Sequence, residues 1–305
     1  MTQQKSLTPR ATFELALLAC VWGGSFLAIR TALDEVPVLT AVAWRVAPAA
    51  LVLWLWVLAR GIPFPRGAGV WGAFLVMGAL NNVLPFTLMA WAQLHIESGL
   101  TSILNATTAI FATALAAAAF RDERLSGRKA AGVGLGFAGV LAAIGPEALG
   151  GLDLRSLAQL AVLAGALCYA VAALWARAWL GGMAPEAAAA GMLTGAALVM
   201  VPLSLAIDGL PRLSLAPATW AGIGYYAFAS TAFAYLLYYR VLATAGSANL
   251  SFVTLMIPPI AIALGALVRG EALAPHAFLG LALLATALAL LDGRILRLGR
   301  RPTAT

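Results

Sequence analysis

The sequence predicts an all-α integral membrane protein, with ten transmembrane helices arranged as two inverted five-helix repeats around a central cavity. Three observations predict this fold. The composition is 62% hydrophobic and 10% charged, whereas soluble domains average about 45–50% apolar and about 25% charged residues. Apolar runs of about 20 residues, long enough to cross a hydrocarbon core of about 30 Å, recur along the chain. The second half of the sequence also repeats the first at a nearly constant spacing.

The repeat consists of matched residues that lie 148 or 149 positions apart. Repeated apolar helices around a shared midline are typical of membrane transporters. We therefore divide the chain into a first five-helix repeat over residues 1–148 and a second, inverted repeat over residues 149–305, which ends in a basic tail. The matched pairs include Cys20 with Cys168, Pro37 with Pro185, Trp71 with Trp220, Ser98 with Ser247, Ser102 with Ser251, and Glu123 with Glu271.

Polar clusters and Pro or Gly residues divide each half into five predicted spans. The first span has full membrane length and lacks a small-residue cleavage site, which favours a helix over a signal peptide. The segment Gly61-Ile62-Pro63 ends the second span, and the charged residues from Arg121 to Arg124 follow the fourth. The predicted spans are 11–33, 37–60, 69–92, 98–120, 128–146, 155–179, 185–207, 216–240, 246–268 and 274–295.

The Lys and Arg residues predict the orientation. With the N-terminus inside, fourteen of the 19 lie in inner segments, four lie in outer segments and Arg45 lies within the second span. The positive-inside rule then places both termini in the cytoplasm and the protein in the cell (inner) membrane. Because five spans per repeat is an odd number, the second half enters the membrane upside down relative to the first. The net charge of +7 is explained by these loops, so nucleic acid is not an expected partner.

Three features are shared with a known family: the Trp22-Gly23-Gly24-Ser25-Phe26 segment, the Arg45 of Ala-Trp-Arg, and two acidic span ends, Asp122-Glu123-Arg124-Leu125 and Gly270-Glu271-Ala272-Leu273. On these features the chain, over residues 11–295, resembles the drug/metabolite transporter superfamily in its EamA-like ten-helix branch. The resemblance implies a secondary transporter that carries amino acids, other metabolites or drugs, mostly outward. The nearest subgroup is the aromatic amino acid exporters.

Polar side chains in the middle of spans are candidates for a solute site, because in lipid they need a partner or a wet cavity. The third span carries Asn81 and Asn82, one turn before Pro85, whose missing donor bends the helix and opens its wall. The fourth span carries Asn105. Hydrogen bonds between helices are the alternative role for these amides.

The eighth span, the repeat counterpart of the third, is rich in aromatic residues. At α-helical spacing Tyr225, Phe228, Tyr235 and Tyr239 share one face, with Thr231 nearby. An aromatic face opposite an amide face suits a small solute with a flat apolar part and a polar head. Simple packing is the alternative for each ring. The predicted substrate-binding residues are Trp22, Phe26, Asn81, Asn82, Phe86, Asn105, Tyr169, Trp175, Phe228, Thr231, Tyr235 and Ser251.

Prolines mark the candidate hinges. Pro258 and Pro259 in the ninth span lack backbone donors and interrupt the helical hydrogen bonds, as Pro85 does in the third. A gating hinge and a kink for packing are both compatible with them. The glycines from Gly132 to Gly139 resemble a dinucleotide-binding pattern, but they lie within an apolar span without a preceding strand. Close helix packing is therefore the better interpretation.

Charge placement bears on energy coupling. Arg45 is the only cation within a span, and its repeat counterpart is Leu193. A fold-stabilising contact, to backbone carbonyls or to Asp34 or Glu35, is favoured over a contact with a solute carboxylate. Glu14, near the cytoplasmic end, is the only acid within a span, and a proton antiporter usually needs an acid at mid-depth. We therefore expect carrier-type export driven by the solute gradient.

These observations favour export of small metabolites, with aromatic or other apolar amino acids as the expected solutes, by alternating access through the central cavity. Other metabolites or drugs are the alternative solutes. An intramembrane enzyme would need clusters of acids or His at one membrane face, and His95 and His276 lie far apart. We expect no catalytic residues, no metal and no cofactor. The expected partners are the solute and the lipid bilayer; the oligomeric state stays open, and a monomer is compatible with the sequence.

Overall fold

The computed structural model describes residues 8–119, 126–145, 153–246, 250 and 252–292, and the regular structure of these residues is helical. Within these residues, seven helices are long and apolar enough to cross a membrane. After these seven, the described chain forms a helical run over residues 217–245 and then two shorter apolar helices. The helices are α1 Pro9–Ala32, α2 Val38–Ala59, α3 Ala68–Ala92, α4 Ser98–Ala119, α5 Gly127–Ile144, α6 Leu154–Trp179, α7 Pro185–Ile207, α8 (217–245), α9 Phe252–Arg269 and α10 Pro275–Asp292.

Local sequence signals set the helix beginnings. Thr8 caps α1 by accepting a hydrogen bond from the Ala11 amide, with Pro9 as the first helical residue. Asp153 caps α6 in the same way, accepting from the Ser156 amide at 2.7 Å. The helices coincide with the predicted spans to within a few residues. The largest difference between described bounds is in α8, which continues to Ala245 rather than ending at residue 240.

Two helices contain a π-helical segment that the sequence analysis did not predict. In α3 the segment is Ala79–Val83, directly before Pro85. Because proline has no amide hydrogen, the preceding turn loses a donor and widens. In α8 the segment is Tyr225–Phe233. There the side chain of Thr231 donates to the Tyr226 carbonyl at 2.7 Å and competes with the backbone for that acceptor.

The predicted span 98–120 corresponds to helix α4, Ser98–Ala119, which the structure shows to be interrupted. It runs from Ser98 to Asn105 and resumes at Thr108. The Thr107 hydroxyl donates to the Leu104 carbonyl at 2.6 Å and the Thr108 hydroxyl donates to the Asn105 carbonyl at 2.8 Å. Consecutive hydroxyls that bond back to the preceding turn bend a helix, and here they interrupt it in mid-helix.

Small residues let the helices approach closely. Helices α5 and α10 pack against each other, and a Cβ atom at Gly139 would lie 3.0 Å from the Leu284 backbone nitrogen. Gly132 and Gly136 are similarly crowded, by Leu291 and Ile110. The packing interpretation of the glycine pattern is confirmed at these three positions, whereas Gly134 has no atom within 4 Å of such a Cβ.

The packing of α4 differs between its two parts. All seven residues from Ser98 to Leu104 are buried, against α9 and α6. From Thr108 to Ala119 only Ile110 is buried. Large apolar side chains such as Leu141 and Leu267, 71% and 83% exposed, cover the outside of the molecule, as expected for helices surrounded by lipid.

Candidate functional site

Arg45 is the centre of a polar cluster in the middle of the helices. It lies on α2, and its Nε donates to Thr231 Oγ1 at 2.9 Å. Its guanidinium carbon lies 3.8 Å from the centroid of the Phe86 ring on α3, within the range of a cation–π interaction. Since Thr231 is at the midpoint of α8, the guanidinium is at mid-depth. The expected contact of Arg45 with Asp34 or Glu35 is therefore wrong.

The positive charge of Arg45 has no carboxylate partner among the described residues. The titratable groups that interact with it electrostatically are the hydroxyls of Tyr169, Tyr226 and Tyr235. The guanidinium Nη1 and Nη2 make no hydrogen bond within the described part of the chain, and neither is a buried atom without a partner. Neither terminal nitrogen is therefore paired or completely enclosed within the described part of the chain.

Thr231 holds Arg45 in place. It is 1% exposed, its hydroxyl donates to the Tyr226 carbonyl, and its oxygen accepts from Arg45. The π-helical geometry of α8 makes this possible, because a donor five residues later is aligned with the carbonyl. Thr231 was predicted to bind substrate; its burial instead fits a role in positioning Arg45. The Tyr226 hydroxyl is buried without a partner, and the sequence analysis did not include this residue in the site.

A second group of polar side chains joins α3 to α8. Asn81 Nδ2 and Asn82 Nδ2 both donate to Tyr235 Oη, at 3.1 and 3.4 Å. Asn82 is fully buried, and its Oδ1 is an unpaired acceptor. Asn81 and Tyr235 are only partly buried. The predicted amide and aromatic residues thus meet at one depth.

Tyr169 brings α6 to the same cluster. Its hydroxyl interacts electrostatically with Arg45 and Tyr235. Like the terminal nitrogens of Arg45, this hydroxyl has no hydrogen bond within the described residues and is not among the completely buried unpaired atoms. Helix α6 approaches α3 at Gly165, where a Cβ atom would lie 3.3 Å from the Pro85 Cα. Tyr169 therefore adds an unpaired hydroxyl on α6 that interacts electrostatically with the guanidinium.

The two predicted tryptophans use their indole N–H groups to join helices. Trp22 Nε1 donates to the Ser230 carbonyl at 3.2 Å, and Trp175 Nε1 donates to the Ala73 carbonyl at 3.2 Å. Trp175 also stacks on Trp179, with ring centroids 5.3 Å apart. Phe26 is buried in the cluster of α1, α8 and α9. These rings surround the site rather than join the polar cluster.

The structure does not bring every predicted residue to Arg45. Phe228 is 51% exposed and has no contact with the polar cluster. Asn105 lies where α4 is interrupted, with its Oδ1 buried and unpaired. Ser251 lies outside the described residues. Pro258 and Pro259 were expected to interrupt the ninth helix, but α9 is assigned as one helix across both.

The expectation of one aromatic face along α8 is wrong. The Tyr225 hydroxyl donates to the Val21 carbonyl of α1 at 3.1 Å, whereas the Tyr235 hydroxyl accepts from the amides of α3. The face was derived from α-helical spacing, and the wider turns of the π-helical segment between the two residues turn them toward different neighbours. No simple sequence signal marks this segment.

Five acidic residues close one end of the bundle, which we call the acidic end. Each of them bonds to a residue in the other half of the sequence, and Asp34 accepts from Arg269 at 2.8 Å. The Arg269 hydrogen bond lowers the pKa of Asp34, and the hydrogen bonds from Thr219 and the Ala216 amide lower the pKa of Glu35. The bonded pairs are Asp34 with Arg269, Glu35 with Thr219 and Ala216, Asp208 with Thr40, Glu97 with Arg155, and Glu271 with Ser98.

The chain is similar to known transport proteins. The EamA-like transporter family matches it twice, over residues 12–145 and 156–291. A probable terminal-alkyne amino-acid exporter of Streptantibioticus cattleyicolor is 26% identical over 298 residues, covering 97% of each chain. A probable amino-acid metabolite efflux pump of Escherichia coli is 26% identical over 282 residues, covering 89% of this chain and 91% of its own. A solved crystal structure with 18% identity superposes with a TM-score of 0.68, covering 96% of this chain, and shares the fold.

Proposed function

Because the chain belongs to the EamA-like transporter family, we propose that it is a secondary transporter that exports amino acids, with aromatic or other apolar amino acids as its solutes. Membership of this family supports a role in membrane transport rather than in catalysis. The solute, the direction of transport and the mechanism are the proposal. Transport would proceed by alternating access to a central cavity between the two halves of the chain.

The polar cluster around Arg45 is the observation that carries this proposal. A cation, two amides and two tyrosine hydroxyls meet at the middle of otherwise apolar helices. Polar groups at this depth are costly in lipid unless they bind one another or a solute. Arg45, Asn81, Tyr169 and Tyr235 combine polar groups with aromatic rings at one depth. Such a combination suits a solute with a charged head and an apolar side chain.

The two relatives support amino acids as the class of solute, because both are named for amino-acid or amino-acid metabolite export. We propose the inverted arrangement of ten spans for this chain, with repeats over residues 1–148 and 149–305. The protein would lie in the inner membrane of the cell with both termini in the cytoplasm. The double match of the family supports the duplication. The π-helical segments of α3 and α8, at corresponding positions of the two halves, support it as well.

Alternating access is supported by the contrast between the two ends. In the proposed orientation the acidic end faces outward, and its hydrogen bonds between the halves close it. Toward the opposite end, Glu14 and Arg240 form an ion pair between the halves, and Ile110 is the one buried residue from Thr108 to Ala119; we propose that this end opens inward. Pro85, Pro258 and Pro259 are then the candidate hinges. Export requires the acidic end to open and the opposite end to close.

We propose that the solute gradient drives transport. Glu14, the acid nearest to mid-depth among the described residues, lies one turn inside α1 and accepts from Arg10 and Arg240 at 3.1 and 2.8 Å. Glu14 is therefore engaged in ion pairs near the end of α1 and is not part of the polar cluster around Arg45. The remaining described acids lie at helix ends.

Counterflow of radiolabelled amino acids into proteoliposomes tests the proposal. We expect saturable exchange for phenylalanine, tyrosine, tryptophan or leucine, and little for charged amino acids. Asn82→Leu removes a donor to Tyr235 and should lower the exchange rate at least about fivefold, because a lost buried hydrogen bond is worth about 1 kcal/mol or more.

Gln159→Leu is the matched control, since Gln159 is also a buried amide but bonds to the Ile144 carbonyl near a helix end. This variant should keep most of the exchange. Equal exchange by the wild type and Asn82→Leu would show that the asparagines only join helices. Exchange of cationic drugs without exchange of any amino acid would overturn the proposed solute.

A further inference from the structure

The geometry points to Arg45 as the recognition site for a carboxylate group on the solute, an inference that rests on the proposed function. The fold does not need this charge for symmetry. At the corresponding position of the second half stands Leu193, which is fully buried. An arginine in the middle of a membrane bundle therefore serves a purpose that the repeat alone does not explain.

The contacts of Arg45 leave its recognition surface free. A guanidinium has five N–H donors in a planar fork. Only Nε is used, by Thr231, and Phe86 covers one face of the guanidinium. The edge formed by Nη1 and Nη2 has no partner within the described chain. That edge is the one that binds a carboxylate through two parallel hydrogen bonds.

The missing counter-charge indicates a ligand rather than a structural pair. A buried cation without a partner is costly, and structural arginines in membrane helices pair with acids or backbone carbonyls. None of the five acids at the acidic end is available, since each is bonded elsewhere. A solute carboxylate would supply the missing negative charge and receive a further hydrogen bond from the Tyr169 hydroxyl.

Arg45 is also held ready for binding. Thr231 fixes Nε, and the Thr231 hydroxyl is itself fixed by the Tyr226 carbonyl at 2.7 Å. The Phe86 ring, 3.8 Å away, fixes the plane of the guanidinium. A long side chain restrained in this way loses little conformational freedom when it binds. The site should therefore discriminate strongly between a carboxylate and the neutral amide of the same solute.

Competition in proteoliposome counterflow tests the inference, with phenylalanine, phenylalaninamide, phenethylamine and 3-phenylpropionate as competitors. Against the wild type, phenylalanine should compete about 10- to 100-fold better than its amide, as expected for hydrogen bonds to a charged group. Arg45→Gln should reduce this ratio to within about threefold, and Arg45→Lys should keep part of it. Arg30→Gln is the control, because Arg30 pairs with Asp34 at the acidic end, and it should preserve the ratio.

Thermal stabilisation of the purified protein by the same compounds is a second readout, which separates this inference from the proposed function. If no amino acid is transported but the carboxylic acids stabilise the wild type and not Arg45→Gln, the proposed function fails and the carboxylate site stands. If the amide competes with the wild type as well as the acid does, the inference is overturned, even if Arg45→Gln does not fold. Equal stabilisation by chloride would also overturn it, since the site would then bind any anion.

Discussion

The π-helical segments of α3 and α8 occupy corresponding positions in the two halves of the chain, yet their polar residues differ. At the repeat spacing of 149, Asn82 is matched by Thr231 and Phe86 by Tyr235. The α3 segment contributes amides that donate to Tyr235 of α8. The α8 segment contributes a hydroxyl that accepts from Arg45, which in turn covers Phe86 of α3. The amides of the α3 segment therefore bond to Tyr235, and the arginine bonded to the α8 segment packs on Phe86. Tyr235 and Phe86 are matched to each other at the repeat spacing.

The difference between the segments lies in what faces them. Arg45 stands against one, whereas its match Leu193 is apolar and buried. The two repeats can therefore share a backbone while one places a charged residue against its π-helical segment and the other places an apolar residue there. For a zwitterionic, apolar solute, this asymmetry makes one side of the site charged and the other side apolar. A symmetric pair of segments would lack this difference. The proposed carboxylate site depends on this asymmetry rather than on the repeat.

The largest expected effect is the loss of stability in Tyr235→Phe, which places phenylalanine at both of the matched positions, 86 and 235. The change removes the acceptor of both Asn81 and Asn82, and the Asn82 amide is then buried without a partner. We expect the free energy of unfolding to fall by about 1–3 kcal/mol. Reversible unfolding in mixed detergent micelles measures this change.

The control for that variant is Tyr239→Phe. The Tyr239 ring stacks near Tyr235, with centroids 6.5 Å apart, and its hydroxyl has no hydrogen bond in the described part of the chain. Its removal should change stability by less than about 0.5 kcal/mol, as for most substitutions away from such networks. Equal losses of stability in the two variants would contradict a stabilising role for the hydrogen bonds that join α3 to α8.

A smaller effect is expected from Thr231→Val, which removes the hydroxyl that positions Arg45 while keeping the shape of the side chain. The concentration of phenylalanine needed for half-maximal exchange should rise about three- to tenfold, because one net hydrogen bond is worth about 1 kcal/mol. The preference for acid over amide should weaken in parallel. Thr231→Ser keeps the hydroxyl and should restore the preference; a purely structural role for Thr231 would leave the preference unchanged in Thr231→Val.

The smallest expected effect is that of pH on the rate of exchange. The pKa values of Asp34 and Glu35 are lowered by their hydrogen bonds from ordinary values of 3.8 and 4.5. Their contribution to closing the acidic end is therefore complete above those values and is lost only as the pH falls below them. Exchange between pH 5.5 and 8 should change by less than about twofold. A strong dependence on a pH gradient that disappears in Glu14→Gln would instead indicate proton coupling.

Much of the fold could be predicted from the sequence because lipid imposes a simple rule on it. Every backbone polar group in the bilayer must be paired, so apolar runs of membrane length become helices. The bounds of α1 to α7 follow from this rule together with the Pro and Gly residues between them. Close packing at Gly132, Gly136 and Gly139 was also predictable, since small residues at helical spacing allow close approach.

Part of the site was predictable as well. Asn81 and Asn82 were proposed from their mid-span polarity, Tyr235 from the aromatic face of the eighth span and Thr231 from its place beside that face, and they meet at one depth in the structure. Phe228 was included only because the face of α8 was derived from α-helical spacing. Arg45 was interpreted as a structural residue, and its proposed role in carboxylate recognition rests on contacts that only the packed helices reveal.

The sequence by itself determined the helices, their apolar surfaces and the depth at which polar residues occur, because these depend on local composition and on the thickness of the bilayer. Only the tertiary structure decided how the helices turn and what each polar group contacts. The π-helical segments and the interruption of α4 arise from competition among a missing proline donor, hydroxyl groups and backbone carbonyls, and that competition depends on the neighbouring helices. For the same reason, the partners of Arg45 emerge only when α2, α3, α6 and α8 are packed together.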